Sequence, residues 1–180
     1  MREVVPTWTN VVNGKGCKFV AEGGAIEKRE QKDIFTSDGE DSYDTGAFSN
    51  EAITRKEGGS ESQGLKWRAA TTGKYYELGL SHEDGGVEGG EKDFGMVCNW
   101  GGYLYIYEKG SYVKAPDGST VFAKYAAGDE LEVRVTADAV SYHHNGRLLY
   151  TSAKAPTFPL VADCGFCSPG AKAEGVRLRC

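Results

Sequence analysis

Between Tyr125 and Tyr150 the chain spells out three consecutive antiparallel strands. Leu131, Val133 and Val135 alternate with Glu130, Glu132, Arg134 and Thr136. A period of two puts one set on a buried face and the other on the opposite face, the signature of a half-buried strand. A second run alternates Val140, Tyr142 and His144 with Ser141 and His143, and a third, Arg147 to Thr151, starts after Asn145-Gly146. Asn-Gly is the strongest short hairpin signal, because a type I′ turn needs positive φ at both central residues. With Ala137-Asp138 as the preceding turn, Glu132 is expected opposite His143 and Arg134 opposite Ser141. His144 is expected to border the core and His143 the solvent.

The same period recurs along the chain. Val4 to Val12 and Cys17 to Ala21 read as strands, as do Gly46 to Ile53, the Leu65/Trp67/Ala69 run and the Tyr76/Leu78/Leu80 run. Asp93 to Asn99, Tyr103 to Glu108, Leu160 to Cys167 and Gly175 to Cys180 complete the set. Lys109 to Thr120 reads as a loop around the turn Pro116-Asp117-Gly118, where Pro sets φ and Gly allows its positive value. Residues 22–44 form a charged insertion. Its middle, Ala25 to Phe35, could form a short helix but is better read as a surface loop pinned by Ile26, Ile34 or Phe35. About a dozen short strands with regular turn signals argue for an all-β sandwich filling a single domain, residues 1–180.

The net charge of −5 is spread along the chain, with no basic stripe to meet nucleic acid or anionic lipid. No apolar run approaches membrane-spanning length. The first residues lack the apolar segment of a signal peptide, so a cytoplasmic protein is expected; an upstream signal already removed would make it secreted. The five cysteines, Cys17, Cys98, Cys164, Cys167 and Cys180, are odd in number and irregular in spacing. That pattern suits reduced thiols rather than a disulfide framework.

Several pieces, in order, resemble the concanavalin A-like jelly-roll domains. Tyr75-Tyr-Glu-Leu-Gly-Leu-Ser81 is similar to their "GLS" strand, and Leu104-Tyr-Ile-Tyr-Glu-Lys-Gly110 to their "VYE-G" strand. Tyr125-Ala-Ala-Gly-Asp129 resembles their "Y-GD" turn, and Val140-Ser-Tyr-His-His-Asn-Gly146 their "V-Y-NG" hairpin. Ala155-Pro-Thr-Phe-Pro-Leu160 is similar to the "P-PL" segment before the next strand, while Trp8-Thr-Asn10 and Gly46-Ala-Phe-Ser49 fit the N-terminal part. SPRY-type interaction domains share the "GD…NG" logic and are a second relative. The resemblance covers most of the chain from Trp8 to Arg179. It implies a two-sheet antiparallel jelly-roll sandwich, a fold that hosts lectins, glycosidases and protein-binding modules alike.

Glucanases of this fold carry Glu-x-Asp-x-x-Glu on one strand face, with nucleophile and acid about 5–5.5 Å apart for retaining hydrolysis. No such pattern occurs here, and no catalytic residue is assigned. The closest approach is Glu132 with His143, an acid–base couple in principle and an exposed cross-strand polar pair in the plainer reading. Cys164-Gly-Phe-Cys167 has CxxC spacing without a second CxxC, and alternation points its two thiols to opposite faces. The acidic glycine loop from His82 to Glu91, with Asp84, could hold calcium but lacks EF-hand spacing. No metal and no cofactor is assigned.

The aromatic residues carry the binding expectation. Tyr103, Tyr105 and Tyr107 share one strand face, and Leu104 and Ile106 the other. If the aliphatic face is core, the tyrosines line an outer surface suited to sugar rings or protein hot spots; reversed, they fill the core. Trp100, in the turn Asn99-Trp-Gly-Gly102, reads as a loop-tip aromatic, whereas Trp8 and Trp67 read as core. The expected site is therefore Trp100, Tyr103, Tyr105 and Tyr107, with His82 and Asp84 from the glycine-acid loop. The expected role is a non-catalytic binding module for a protein partner in an intracellular scaffold, a ciliary or cytoskeletal assembly being one setting. The alternative is a lectin-like module of a secreted or cell-surface protein, with a glycan as partner.

Overall fold

The computed structural model describes residues 2–13, 17–30, 45–56, 62–82 and 92–180. Among these there is no helix, and hence none long enough to cross a membrane. Two antiparallel sheets pack face to face. The first comprises β1 (Glu3–Val4), β3 (Cys17–Glu22), β4 (Ala25–Glu30), β6 (Gln63–Ala69), β12 (Glu130–Val135), β13 (Val140–His144), β14 (Arg147–Thr151) and β16 (Lys172–Arg179). The second comprises β2 (Trp8–Val12), β5 (Thr45–Ile53), β7 (Tyr76–Ser81), β8 (Phe94–Cys98), β9 (Tyr103–Glu108), β10 (Ser111–Tyr112), β11 (Phe122–Lys124) and β15 (Leu160–Phe166). The strand orders are β14-β13-β12-β6-β16-β4-β3, with β1 beside β16, and β10-β9-β8-β7-β15-β5-β2, with β11 also on β9. Non-sequential neighbours in both sheets make this a two-sheet jelly-roll sandwich.

Alternation builds the core. Leu131, Val133, Val135, Val140 and Tyr142 from one sheet meet Leu78, Met96, Leu104, Ile106 and Phe166 from the other, all essentially without solvent exposure. The central register is the expected one, with Glu132 opposite His143 and Arg134 opposite Ser141. Asn145 and Gly146 both have positive φ, as the tight hairpin requires. Gly64 lets β6 and β12 approach: a Cβ there would sit 2.1 Å from the Val133 carbonyl oxygen.

Several local expectations are corrected. Ala25 onward is neither helix nor loop: Gly23 and Gly24, both with positive φ, fold β4 back onto β3. Ile26 is then buried in the core, and Lys28 donates to the Cys167 carbonyl at 2.7 Å. Residues 31–44, with Ile34 and Phe35, lie outside the described residues. The Val4–Val12 run is two strands in different sheets, interrupted at Pro6, which has no N–H to donate to a ladder. Trp67 is core as expected, but Trp8 is only half-buried. The loop expected from Lys109 to Thr120 contains β10 and a Lys114–Thr120 bridge, and leads into β11.

The two histidines exchange their expected surroundings. His143 is buried and His144 half-exposed. Pairing of β12 with β13 stays in register through both residues, so His143 keeps the outer face beside Glu132 and is buried there by the side chains that cover it. His144 is drawn to Asp129 instead, with Nε2 2.8 Å from Oδ2.

Candidate functional site

Burial along β9 answers the question that periodicity leaves open. Leu104, Ile106 and Glu108 are buried, whereas Tyr103, Tyr105 and Tyr107 are half-exposed. The tyrosines therefore occupy the outer face of the second sheet. Two further aromatic residues join them through strand pairing, Tyr112 opposite Tyr107 and Phe122 opposite Tyr105. Residues directly opposite in an antiparallel pair project from the same face. The rings then touch in series. Tyr103 and Tyr105 lie 5.6 and 5.9 Å from Phe122, and Tyr105 and Tyr107 lie 5.2 and 4.8 Å from Tyr112. The contacts are edge-on or tilted, the geometries that ring quadrupoles favour.

Trp100 extends this surface through Tyr75. Its ring lies 4.4 Å from that of Tyr75, whose hydroxyl is 3.2 Å from the hydroxyl of Tyr112. The turn carrying Trp100 is fixed by Asn99, whose side-chain carbonyl accepts from the N–H groups of Gly101 and Tyr103 at 2.9 Å. The Trp100 indole N–H donates to Ser168 Oγ at 3.0 Å. Even so, Trp100 is 52% exposed and Phe122 55%.

Tyr75, Tyr112 and Phe122 were not anticipated from sequence. Tyr75 was legible, since it alternates with the core residue Tyr76. Tyr112 and Phe122 sit in the excursion that reads as a loop, where short strands leave little periodicity. His82 stands apart from the aromatic surface. In the β7–β8 register Tyr76 faces Cys98 and Leu80 faces Phe94, so Trp100 and His82 lie at opposite ends of β7. His82 Nδ1 is 3.0 Å from the Pro159 carbonyl oxygen, and its backbone N–H donates to Asp93 at 2.7 Å. Asp84 and the rest of the glycine-acid loop, residues 83–91, lie outside the described residues.

The catalytic alternative was expected to be solvent-exposed, and it is not. Glu132 and His143 are 2% and 8% exposed, because long neighbouring side chains fold over that face of the first sheet. Nor do they form a couple. Arg134 binds the Glu132 carboxylate at 2.8 Å and Arg179 binds its other oxygen. His143 Nε2 instead faces Ser141 Oγ at 3.0 Å. Burial and the Arg134 charge hold the imidazole below its ordinary pKa, against a hydrogen bond with the Gly146 backbone. Among the described residues no group of three or more His, Cys, Asp or Glu side chains is placed to hold a metal. Cys164 and Cys167 are both buried, and Cys164 donates to the Ala47 carbonyl. Burial, then the adjacent Asp163 charge, pushes the Cys164 thiol well up, so it stays protonated and weakly nucleophilic.

On the other side of β8 from the aromatic strip, the second sheet carries a buried ionic group. Lys92 Nζ lies 3.4 Å from Asp163 Oδ1 and 3.9 Å from Glu77 Oε2. Ser81 donates to Asp163 Oδ2 at 2.7 Å. The Glu77 carboxylate lies over Gly95, where a Cβ would come 2.1 Å from Oε1. A separate groove of about 710 Å³ runs along the seam near both termini, lined by Arg2, Val4, Val5, Glu51, Ala52 and Cys180 among others. It shares no residue with the aromatic surface.

This is the concanavalin A-like jelly-roll class, shared by SPRY domains and lectin-like modules. The chain is similar to the TRIM65 PSpry domain, at 10% identity over 97% of this chain and 88% of that one, with a TM-score of 0.58. It is similar to a mutant form of the Emp46p carbohydrate recognition domain, at 8% identity over 91% and 85% with a TM-score of 0.53. A sialidase aligns at 15% identity over 96% of this chain and 16% of its own, with a TM-score of 0.50. No family model and no curated protein matches the sequence. At these identities the likeness establishes the fold alone.

Proposed function

We propose that this chain is a non-catalytic binding module that receives a polypeptide partner on the outer face of β9. The continuous surface of Trp100, Tyr75, Tyr112, Tyr107, Tyr105 and Phe122, ending at Tyr103, carries the reading. Tyr and Trp dominate protein hot spots because they supply large contact area at low conformational-entropy cost. The surface is a face rather than a cavity, the form that suits a macromolecule better than a small substrate. The side-chain carbonyl of Asn99 next to Trp100 is engaged by its own turn, which leaves it less free to hold a sugar hydroxyl.

The non-catalytic reading draws support from the separation of Glu132 from His143 into independent partnerships. We place the module in a reducing, intracellular setting on the strength of its five irregularly spaced cysteines. The SPRY neighbour and the lectin-like neighbour stand for the two ligand classes. Affinity capture from a cell lysate separates them. A protein retained by the native chain and lost with Trp100→Ala or Phe122→Ala, at unchanged circular dichroism, supports the reading. Glycan-array binding that disappears with Tyr105→Ala, with no such protein retained, replaces it with the lectin.

A further inference from the structure

We infer that the partner segment is acidic, with apolar anchors on the rings and carboxylates meeting lysines at the edge of the aromatic surface. This inference rests on reading that surface as the binding site, and charge complementarity carries it. Although the chain is acidic overall, with a net charge of −5, the described side chains at the edge of the rings include three lysines. Lys124 stands opposite Tyr103 in the β9–β11 ladder, its Nζ 5.9 Å from that ring's centroid. Lys114 is two residues beyond Tyr112 and bridges to Thr120, itself two residues before Phe122. Lys74 immediately precedes Tyr75.

None of the three forms an ion pair among the described residues. The outer face of the first sheet is arranged differently. There Lys66 meets Glu130 at 2.8 Å, Arg134 meets Glu132 at 2.8 Å and Lys172 meets Glu174 at 2.7 Å. Two carboxylates in the same region make no ion pair with these lysines. Asp117, at the tip of the excursion between β10 and β11, accepts from the Ser119 hydroxyl and N–H, which hold its carboxyl below the usual range. Glu77 lies buried beside Lys92. An arriving carboxylate therefore finds ammonium groups that no described carboxylate occupies. The Tyr103 ring helps to hold Lys124 in place through its π face. Like-charge repulsion turns away a basic segment of the same apolar content.

Fluorescent peptides built on repeats of Glu-Glu-Tyr-Pro, with Ser or Lys replacing Glu in two control series, test this by anisotropy. The Glu series is expected to bind at least about tenfold more tightly than the Ser series, and the Lys series not at all. Raising salt from about 0.1 M to about 1 M shortens the screening length from about 10 Å to about 3 Å and should weaken the Glu complex about tenfold. Lys114→Glu with Lys124→Glu should remove the preference, and Lys→Arg at both positions should retain it. Equal binding of the Glu and Ser peptides, lost with Trp100→Ala, overturns the acidic assignment while leaving the surface a polypeptide site. Stronger binding of heparin or a sialylated oligosaccharide than of the Glu peptide overturns it in favour of an anionic glycan. Failure of all three peptide series overturns the polypeptide reading along with it.

Discussion

Tyr142 reaches across the interior to donate its hydroxyl proton to Glu108 Oε1 at 2.9 Å. The two residues belong to different sheets, one on β13 and the other at the end of the tyrosine-bearing β9. Both are buried, and Lys154 Nζ sits 3.6 Å from the other carboxylate oxygen. Burial, then the Glu108 charge, raises the phenol far above its ordinary pKa, so it remains a donor at any physiological pH. This bond ties the hairpin region that specifies the fold to the strand that presents the candidate site.

Tyr142→Phe removes the donor and leaves a buried carboxylate short of one partner. Hydrogen bonds to charged groups contribute about 1.5–3 kcal/mol, and urea denaturation should show a loss of that size. Adding Glu108→Gln to the Tyr142→Phe chain should cost less than Glu108→Gln alone, since the lost interaction is shared. Additive losses would mean that the two side chains do not couple.

Lys92 offers a sharper test of buried charge. Burial opposes its ionisation, but Asp163 and Glu77 more than compensate, leaving its pKa above the ordinary value. Lys92→Met removes the cation from beside two buried carboxylates. Removing one partner of a buried ionic group typically costs about 3–5 kcal/mol. Lys92→Met with Asp163→Asn should recover part of that loss, measured by the same denaturation. A single variant as stable as the native chain would show that water reaches the site.

The sandwich was legible because alternation and Asn145-Gly146 leave few other ways to pair Glu130 through Thr151. The register placing Glu132 opposite His143 followed from counting across one turn. What the register could not give was the depth of that pair, since it depends on Arg134 and Arg179 from other positions closing over it. The covering of His143 on the outer face and the pull of Asp129 on His144 are likewise tertiary events with no local signal. On β9 the sequence named both faces without ranking them, because Tyr is at home in a core and on a surface. Strand pairing then added Tyr112 and Phe122, whose short strands carry too few residues for a period to show.

His143 and the carboxylates held below their ordinary pKa make stability fall on acidification, in separate windows. His143 has a lowered pKa in the folded chain, so the unfolded chain binds its proton more readily. Stability is then lost as pH drops through the unfolded histidine value of about 6.5. Asp129 is the carboxylate case. Burial opposes it, but Asn145, the Ala126 N–H and His144 together hold its pKa below the ordinary value. Its contribution is present above about 3.9 and is lost as pH falls from there through the folded value. Urea midpoints measured from pH 7.5 downward should show both declines, and His143→Gln should flatten the upper one alone. An unchanged upper slope in that variant would assign the decline to other groups.

The outward orientation of the aromatic surface can be read from fluorescence without any partner. The chain has three tryptophans, of which Trp67 is 1% exposed, Trp8 half-buried and Trp100 52% exposed. Iodide reaches only exposed indoles, and the lysines around the rings should draw it towards Trp100. Trp100→Phe should therefore remove most of the iodide-quenchable emission while leaving the blue-shifted Trp67 signal. The same substitution forfeits the hydrogen bond to Ser168 and part of the ring contact with Tyr75, a loss of about 1 kcal/mol, so the chain stays folded. Quenching retained in Trp100→Phe would place that turn against the body of the protein and remove Trp100 from the binding surface.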